Sequence, residues 1–197
     1  NSISNLNQNL RHIKVSGEYC QLTRGIFENM KSLETFETSS TTKLYYIPER
    51  AFHCCENLVH VEIPSTCYSI ESQSFKNCIK LKNIKIESNS DEEPTNRSPL
   101  TFIGKESFYN CESLEEISIP STIYIICESA FMNCTKLKRI EIGNEKATPE
   151  QDTLKYIEKN AFRNCESLEK FRLPSTCIFL GCCSFMNCIK LKSFEYV

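Results

Sequence analysis

The stretch SFKNCIKLKNIKI, from Ser74 to Ile86, is almost repeated four more times further along the chain. The copies are SFYNCESLEEISI at 107–119, AFMNCTKLKRIEI at 130–142, AFRNCESLEKFRL at 161–173 and SFMNCIKLKSFEY at 184–196. Self-similarity at a period of about 20 to 50 residues is the signature of a repeat architecture. We therefore expect an array of structurally equivalent coils.

Four apolar positions define the register of this repeat. The first position is phenylalanine in seven copies: Phe27, Phe52, Phe75, Phe108, Phe131, Phe162 and Phe185. Three residues later stands Cys55, Cys78, Cys111, Cys134, Cys165 or Cys188, with Met30 in the first copy, and leucine follows three residues after that. An aliphatic residue stands five residues before each phenylalanine. A unit of 23 residues cannot bury its own apolar side, so neighbours must stack as a solenoid. Equivalent phenylalanines are then predicted to stack on each other inside it.

The segment after each cysteine predicts one β-strand per coil. Its pattern, L-x-x-[IVF]-x-[ILV], alternates with a period of two, as a half-buried strand does. The proline of IPST, at Ile63–Thr66 and Ile119–Thr122, ends the strand because proline has no backbone N–H. About eight strands, counting LRHIKV near the N-terminus, are expected to pair in parallel. At ~4.8 Å per step they form one continuous sheet roughly 34 Å long.

The composite pattern F-x-x-C-x-x-L-x-x-I-x-I-P-S-T resembles the BspA-type leucine-rich repeat family, over essentially the whole chain. The resemblance implies an α/β or mainly-β solenoid: a right-handed leucine-rich-repeat stack with a parallel β-sheet on one face. It implies a single solenoid domain over residues 1–197 that is a fragment of a longer array. It also implies a non-enzymatic protein-interaction module, in surface proteins that attach cells to host or matrix proteins. The alternative is an intracellular structural or scaffold protein with the same fold.

Composition argues against several other classes of function. The 197 residues carry a formal net charge of -2, so no nucleic-acid partner is expected. No run of 18 apolar residues occurs, so no direct membrane insertion of this segment is expected. No phosphate-binding glycine loop, carboxylate pair or Ser/His/Asp set stands out, so the sequence predicts neither an enzyme nor a cofactor. Only His53, in HCC at 53–55, adjoins a cysteine pair, and a structural zinc ion needs four convergent ligands.

The thirteen cysteines allow two interpretations, a secreted disulfide framework or free thiols in a reducing compartment. Six of them share one repeat position, where Met30 replaces one, as expected for a small buried apolar residue. We therefore interpret most of them as free structural thiols. Free thiols favour a cytoplasmic location, whereas the family resemblance favours the cell surface or secretion, and the sequence leaves both open.

A candidate protein-binding face follows from the strand alternation, because every second side chain points out of the sheet. The candidate residues are His60, Glu62, Asn83, Lys85, Glu116, Arg139, Glu141, Lys170 and Arg172. Arg139 and Arg172 are the best single candidates, since arginine is enriched at binding hot spots. The alternative is a simple solvated sheet, because this face carries no aromatic anchor.

Insertions and ends add three expectations. The polar segments 87–100 and 143–154 lengthen their units to 33 and 31 residues and predict surface loops, for binding or through neutral variation. Asn96 lies in an N-x-S/T sequon and is a possible glycan site after secretion. The chain starts within a repeat and stops at Val197 without a polar cap. Edge or end-to-end association with further repeats or another chain is therefore expected.

Overall fold

The computed structural model describes residues 9–39, 41–87, 100–143 and 152–196. In these ranges the chain forms fourteen strands and no helix. In chain order they are β1 (His12–Val15), β2 (Thr35–Thr38), β3 (Tyr46–Ile47), β4 (His60–Ile63), β5 (Ser69–Ile70), β6 (Asn83–Ile86), β7 (Phe102–Ile103), β8 (Glu116–Ile119), β9 (Ile125–Ile126), β10 (Arg139–Ile142), β11 (Tyr156–Ile157), β12 (Lys170–Leu173), β13 (Phe179–Leu180) and β14 (Ser193–Tyr196). Most of both insertions, including Asn96, lies outside the described residues.

Each coil contributes one strand of four residues and, in most coils, one of two residues. The two-residue strands form one continuous sheet in the order β13-β11-β9-β7-β5-β3, named here the short-strand sheet. The eight four-residue strands form two four-stranded sheets, β1-β2-β4-β6 and β14-β12-β10-β8. Successive coils pair in parallel throughout. The fold is therefore the expected parallel β-solenoid with eight strands on one face, and it is mainly β.

A column of phenylalanine rings runs through the core. Phe52, Phe75, Phe108, Phe131 and Phe162 are fully buried. Consecutive ring centroids lie 5.0–5.3 Å apart with interplanar angles of 4–10°. The spacing follows the strand separation, because each coil rises by one ladder step. The predicted stack of phenylalanines is confirmed.

The cysteine position forms a second column, of thiols that donate to the backbone. The sulfur of each ladder cysteine lies 3.1–3.3 Å from the carbonyl oxygen of the phenylalanine in the preceding coil. None of the thirteen cysteines is joined in a disulfide in this structure, and their redox state in the cell stays a prediction. Burial raises the pKa of Cys55 to about 12, so this buried sulfur stays protonated at physiological pH.

The sheet of long strands is not continuous, and here the sequence-based prediction is wrong. Steps of 23 residues, such as β4 to β6, give four paired positions. The 25-residue step from β2 to β4 gives two, and the 31-residue step from β10 to β12 gives one. Across the 33-residue step from β6 to β8 the described residues form no ladder. Pairing therefore declines as the inserted length of the unit grows.

The predicted loops also end earlier than expected. Leu100 and Leu154, the last residues of the two insertions, are fully buried. They occupy the inward position that Leu44 and Ile123 fill in other coils. Each stands two residues before the start of a strand of the short-strand sheet, β7 or β11, at a position that faces the core.

Candidate functional site

The outward residues of the eight four-residue strands form a surface named here the long-strand face. Burial alternates along these strands, with inward residues such as Val61, Ile117 and Phe171 buried and their neighbours exposed or half-buried. The nine candidate residues all lie at outward positions, as the alternation requires. They fall into two groups, because the break between β6 and β8 separates His60, Glu62, Asn83 and Lys85 from the other five.

In the first group the charges form a short chain across adjacent strands. Glu62 Oε1 lies 3.6 Å from His60 Nε2 and 3.7 Å from Lys85 Nζ. Lys85 Nζ is also 3.5 Å from Glu87 Oε1, while Asn83 is exposed beside them. The charged side chains of the first group are therefore paired with each other or with Glu87.

In the second group Arg139 joins two carboxylates. It pairs with Glu116 on the preceding strand, and its Nε lies 3.3 Å from Glu141 Oε1. Lys170 Nζ lies 3.1 Å from Glu195 Oε1. Such exposed pairs contribute about 0–1 kcal/mol each to folding. Their main effect is to hold long side chains in defined positions.

Arg172 differs from the other two basic residues of this group. It lies half-buried on β12, in register with Glu195. Among the residues that the structure describes, no ion pair to Arg172 occurs. Burial raises the pKa of Asp152, and the positive charge of Arg172 acts against that rise. Arg172 is thus the candidate whose guanidinium is most available to a ligand.

The sequence analysis missed an exposed row of aromatic side chains on the short-strand sheet. This aromatic stripe consists of Tyr45, Tyr46, Tyr68, Phe102, Tyr124, Tyr156 and Phe179, each exposed or half-buried. Next to it lies a shallow cleft of about 490 Å³, lined by Thr101, Phe102, Thr122, Tyr124, Ile125 and Thr153. The signal was present in the sequence, because the residue before the inward isoleucine or leucine is repeatedly aromatic, as in YYI and LTFI. The anchors that the long-strand face lacks are therefore found on another side of the coil.

Neither a metal site nor a membrane span emerges from the described part of the chain. No group of three or more His, Cys, Asp or Glu side chains is placed there to hold a metal ion. No helix long and apolar enough to cross a bilayer is formed in the same residues.

Comparison with known families agrees with this architecture. A model of the BspA type leucine-rich repeat region matches the chain in six copies, over residues 4–97 and 101–196. The chain belongs to the BspA-type leucine-rich repeat family. The long strands and the ring column therefore lie within BspA-type repeats. Among curated proteins, none matches the chain.

Several solved structures share the repeat fold. A leucine-rich repeat protein from Eubacterium ventriosum is 22% identical with a TM-score of 0.54, and the match covers 94% of this chain and 48% of that one. The T. pallidum protein TpLRR is 19% identical with a TM-score of 0.48, covering 79% and 71% of the two chains. A leucine rich cell surface protein from Faecalibacterium prausnitzii is 23% identical with a TM-score of 0.39, covering 95% and 60%. The BspA-type chain thus spans about half the length of the E. ventriosum protein, whose likeness shows the fold.

Proposed function

We propose that this BspA-type chain is a non-enzymatic module that binds a protein partner through the long-strand face. Leucine-rich repeat domains typically bind proteins. The observation that carries the proposal is the arrangement around Arg172, an available cation set among the exposed charges of β8, β10 and β12. The ladders of β8 with β10 and of β12 with β14 hold their backbone, and ion pairs hold Arg139 and Lys170, so less conformational entropy is lost on binding.

We place this module at the cell surface or in the secreted fraction, where it attaches to host or matrix proteins. A face of fixed, mixed charges suits such a role, because charge complementarity provides specificity and rapid association. Binding through it is expected to weaken as salt is raised. The location is tested by labelling intact cells with a membrane-impermeant amine reagent, and an unlabelled protein would rule out the surface.

The binding proposal is tested with immobilised matrix proteins, starting with collagen. Arg172→Ala is expected to weaken binding by about tenfold or more, as loss of a hot-spot arginine does. Lys155→Ala, which removes a cation next to the aromatic stripe, serves as the matched control and is expected to leave binding unchanged. Equal affinity of the wild-type chain and Arg172→Ala for a matrix protein that does bind would exclude this face.

A second candidate function, an intracellular scaffold, is favoured by the thirteen free thiols. Free thiols persist in reducing compartments, whereas secreted proteins tend to oxidise them to disulfides. Mass spectrometry of the protein isolated from its cells under alkylating conditions separates the two candidates. Several native disulfides would contradict the intracellular role.

We further propose that the last coil associates with additional repeats or with another chain. Leu180 and Phe194 are 45% and 44% exposed, whereas their equivalents one coil earlier, Ile157 and Phe171, are 0% and 1% exposed. Interior coils bury these positions because a neighbour covers them. An apolar end of this kind favours end-to-end stacking, in which parallel pairing continues.

A further inference from the structure

One coil differs from the others at a single turn position of the repeat. Asparagine fills this position in Asn29, Asn77, Asn110, Asn133, Asn164 and Asn187, with φ between 59° and 64°. Asparagine tolerates this left-handed conformation better than most residues. Cys54 takes its place in one coil, with φ 59°. A thiol thus stands where the fold elsewhere uses an amide, in a backbone geometry that does not favour cysteine.

The asparagine side chains form a hydrogen-bonded chain with a single direction. Each Nδ2 donates to the Oδ1 of the preceding coil, over 2.6–2.9 Å, from Asn187 to Asn164, Asn133, Asn110 and Asn77. The last amide, Asn77, donates to the sulfur of Cys54 over 3.5 Å. Aligned hydrogen bonds polarise one another. The positive ends of five amide dipoles therefore point towards one sulfur atom, which accepts the last hydrogen bond of the chain.

A proton acceptor lies on the other side of the same sulfur. His53 Nε2 is 3.8 Å from Cys54 Sγ, and His53 Nδ1 is 3.3 Å from Glu28 Oε1. Arg50 Nη2 lies 3.5 Å from the same Nδ1. In the tautomer that carries its proton on Nδ1, His53 donates to Glu28 and leaves Nε2 free to accept a proton. Burial, and next the charge of Arg50, lowers the pKa of His53, so the ring is neutral at physiological pH. Glu28 in turn is held in place by its ion pair with Arg50.

We propose that Cys54, His53 and Glu28, with the amide of Asn77, form a nucleophilic thiol site that reacts with low-molecular-weight disulfides. Cys54 is only half-buried as a residue, so a small reagent can approach it. The site does not depend on the proposed binding of a protein partner.

The reaction is an ordinary thiol–disulfide exchange. Cys54 gives its proton to His53 Nε2, and the resulting thiolate attacks one sulfur of the disulfide. The S–S bond of the reagent breaks, and the departing thiolate takes the proton back from His53. The products are a mixed disulfide on Cys54 and one free small thiol, so the reagent is the oxidant and is reduced.

The cations around Cys54 are paired with carboxylates, among them Lys76 with Glu106. The charged or titratable groups around the thiol and His53 are Glu28, Arg50, Lys31, Lys76 and the thiols of Cys55 and Cys78. Glu28 is paired with Arg50, and Lys31 lies 3.0 Å from Glu56. By contrast, Cys182 and Cys183 are exposed, and no histidine contacts them among the described residues. These two thiols are the internal reference for the reactivity of Cys54.

The test exposes the whole chain to oxidised glutathione and follows each cysteine by peptide mass spectrometry after acid quenching. Cys54 is expected to form the mixed disulfide at least about tenfold faster than Cys182 or Cys183 at pH 7, since the thiolate is the reactive species. A rate at Cys54 equal to or below that of Cys182 would overturn the proposal.

Variants taken from the repeat itself separate activation from exposure. His53→Met introduces the residue found at the equivalent positions Met132 and Met186, and it is expected to slow Cys54 about tenfold. Asn77→Gly keeps the left-handed turn but removes the amide donor, and it is expected to slow Cys54 severalfold. Asn29→Gly changes the same turn on the side that donates nothing to Cys54 and should leave the rate unchanged. Unaltered rates in both His53→Met and Asn77→Gly, with folding intact by circular dichroism, would also contradict the proposal.

Discussion

Phe108 is the residue whose loss most directly tests the ring column. Its ring stacks on Phe75 at 5.2 Å and on Phe131 at 5.0 Å, and it is fully buried. Phe108→Ala is therefore expected to reduce the free energy of unfolding by about 3–5 kcal/mol, through lost burial and the cavity left behind. Urea denaturation measures the change. The neighbouring substitution Tyr109→Ala is the control, expected to cost about 1 kcal/mol or less, and equal costs for the two would contradict the stacked core.

The ion pair between Lys76 and Glu106 predicts a pH-dependent contribution to stability. Lys76 Nζ lies 2.6 Å from Glu106 Oε2, and both side chains are only about one-fifth exposed. Burial raises the pKa of Glu106, but hydrogen bonds from Lys76 and Gln73 outweigh it, so the net pKa is lowered. Because the folded pKa is below the unfolded one, the stabilisation is full above about pH 4.3 and is lost as pH falls through the lower, folded value.

Lys76→Met, again a residue that other coils carry at this position, tests that sign. The variant is expected to be less stable than the wild type by about 1 kcal/mol at pH 7 and to approach it at pH 2–3. Urea denaturation across this pH range gives the difference. A gap that persists undiminished at the acid end would show that packing, not the ion pair, causes it. Lys105→Met is the control, because its pair with Glu128 is about half exposed on the lysine side and should contribute less.

At the scale of the element, unequal pairing between strands predicts unequal protection of backbone amides. Within the described residues, β8 receives no ladder from β6, whereas β10 pairs with β8 at four positions. The amides of Glu116 and Ser118 are therefore expected to exchange with solvent at least about tenfold faster than those at the equivalent positions, Arg139 and Glu141. Hydrogen–deuterium exchange read by NMR measures both sets in one sample. Similar protection of the two strands would mean that the sheet is continuous after all.

Sequence patterning was sufficient for the register of the coils and insufficient for their pairing. The positions of Phe, Cys and Leu are determined by side-chain burial, which a period in the sequence records directly. The loss of pairing between β6 and β8 depends instead on the path of the backbone through a 33-residue unit, which no side-chain period reports. The sequence also predicts loops at Leu100 and Leu154, because each is a single apolar residue after a long polar segment.

For the candidate sites too, the sequence predicts the orientation of side chains but not their contacts. Alternation placed the nine residues of the long-strand face on one surface, and their outward orientation is confirmed, while their role in binding stays a proposal. Alternation did not show which charges neutralise each other, because rotamers decide that Arg139 forms ion pairs while Arg172 forms none with the described residues. The thiol site is not evident from the sequence, because HCC at 53–55 combines Cys54 with Cys55, which belongs to the ladder. The direction of the amide chain that reaches Cys54 depends on three-dimensional contacts.

At the scale of the whole molecule, the exposed apolar surface of the last coil predicts association that depends on concentration. Leu180 and Phe194 are exposed in the last described coil, and further repeats or a second chain packed there would cover them. Replacing both by serine is expected to reduce self-association by about tenfold or more, because each removes apolar area from the contact. Sedimentation velocity over a range of concentrations measures the effect. A wild-type chain that stays monomeric at high concentration would exclude stacking between copies.

Because the ladder of long strands is interrupted between β6 and β8, we expect the solenoid to bend more easily there than elsewhere. The short-strand sheet runs unbroken from β3 to β13, and the ring column passes the 33-residue unit with Phe75 and Phe108 still stacked. Rotation that separates β6 from β8 breaks no backbone hydrogen bond between these two strands. Rotation in the opposite sense is resisted by the short-strand sheet and by the ring column. A ligand that contacts both Lys85 and Glu116 therefore bridges the gap between β6 and β8. Its affinity is expected to depend on how far the two halves of the long-strand face bend relative to each other.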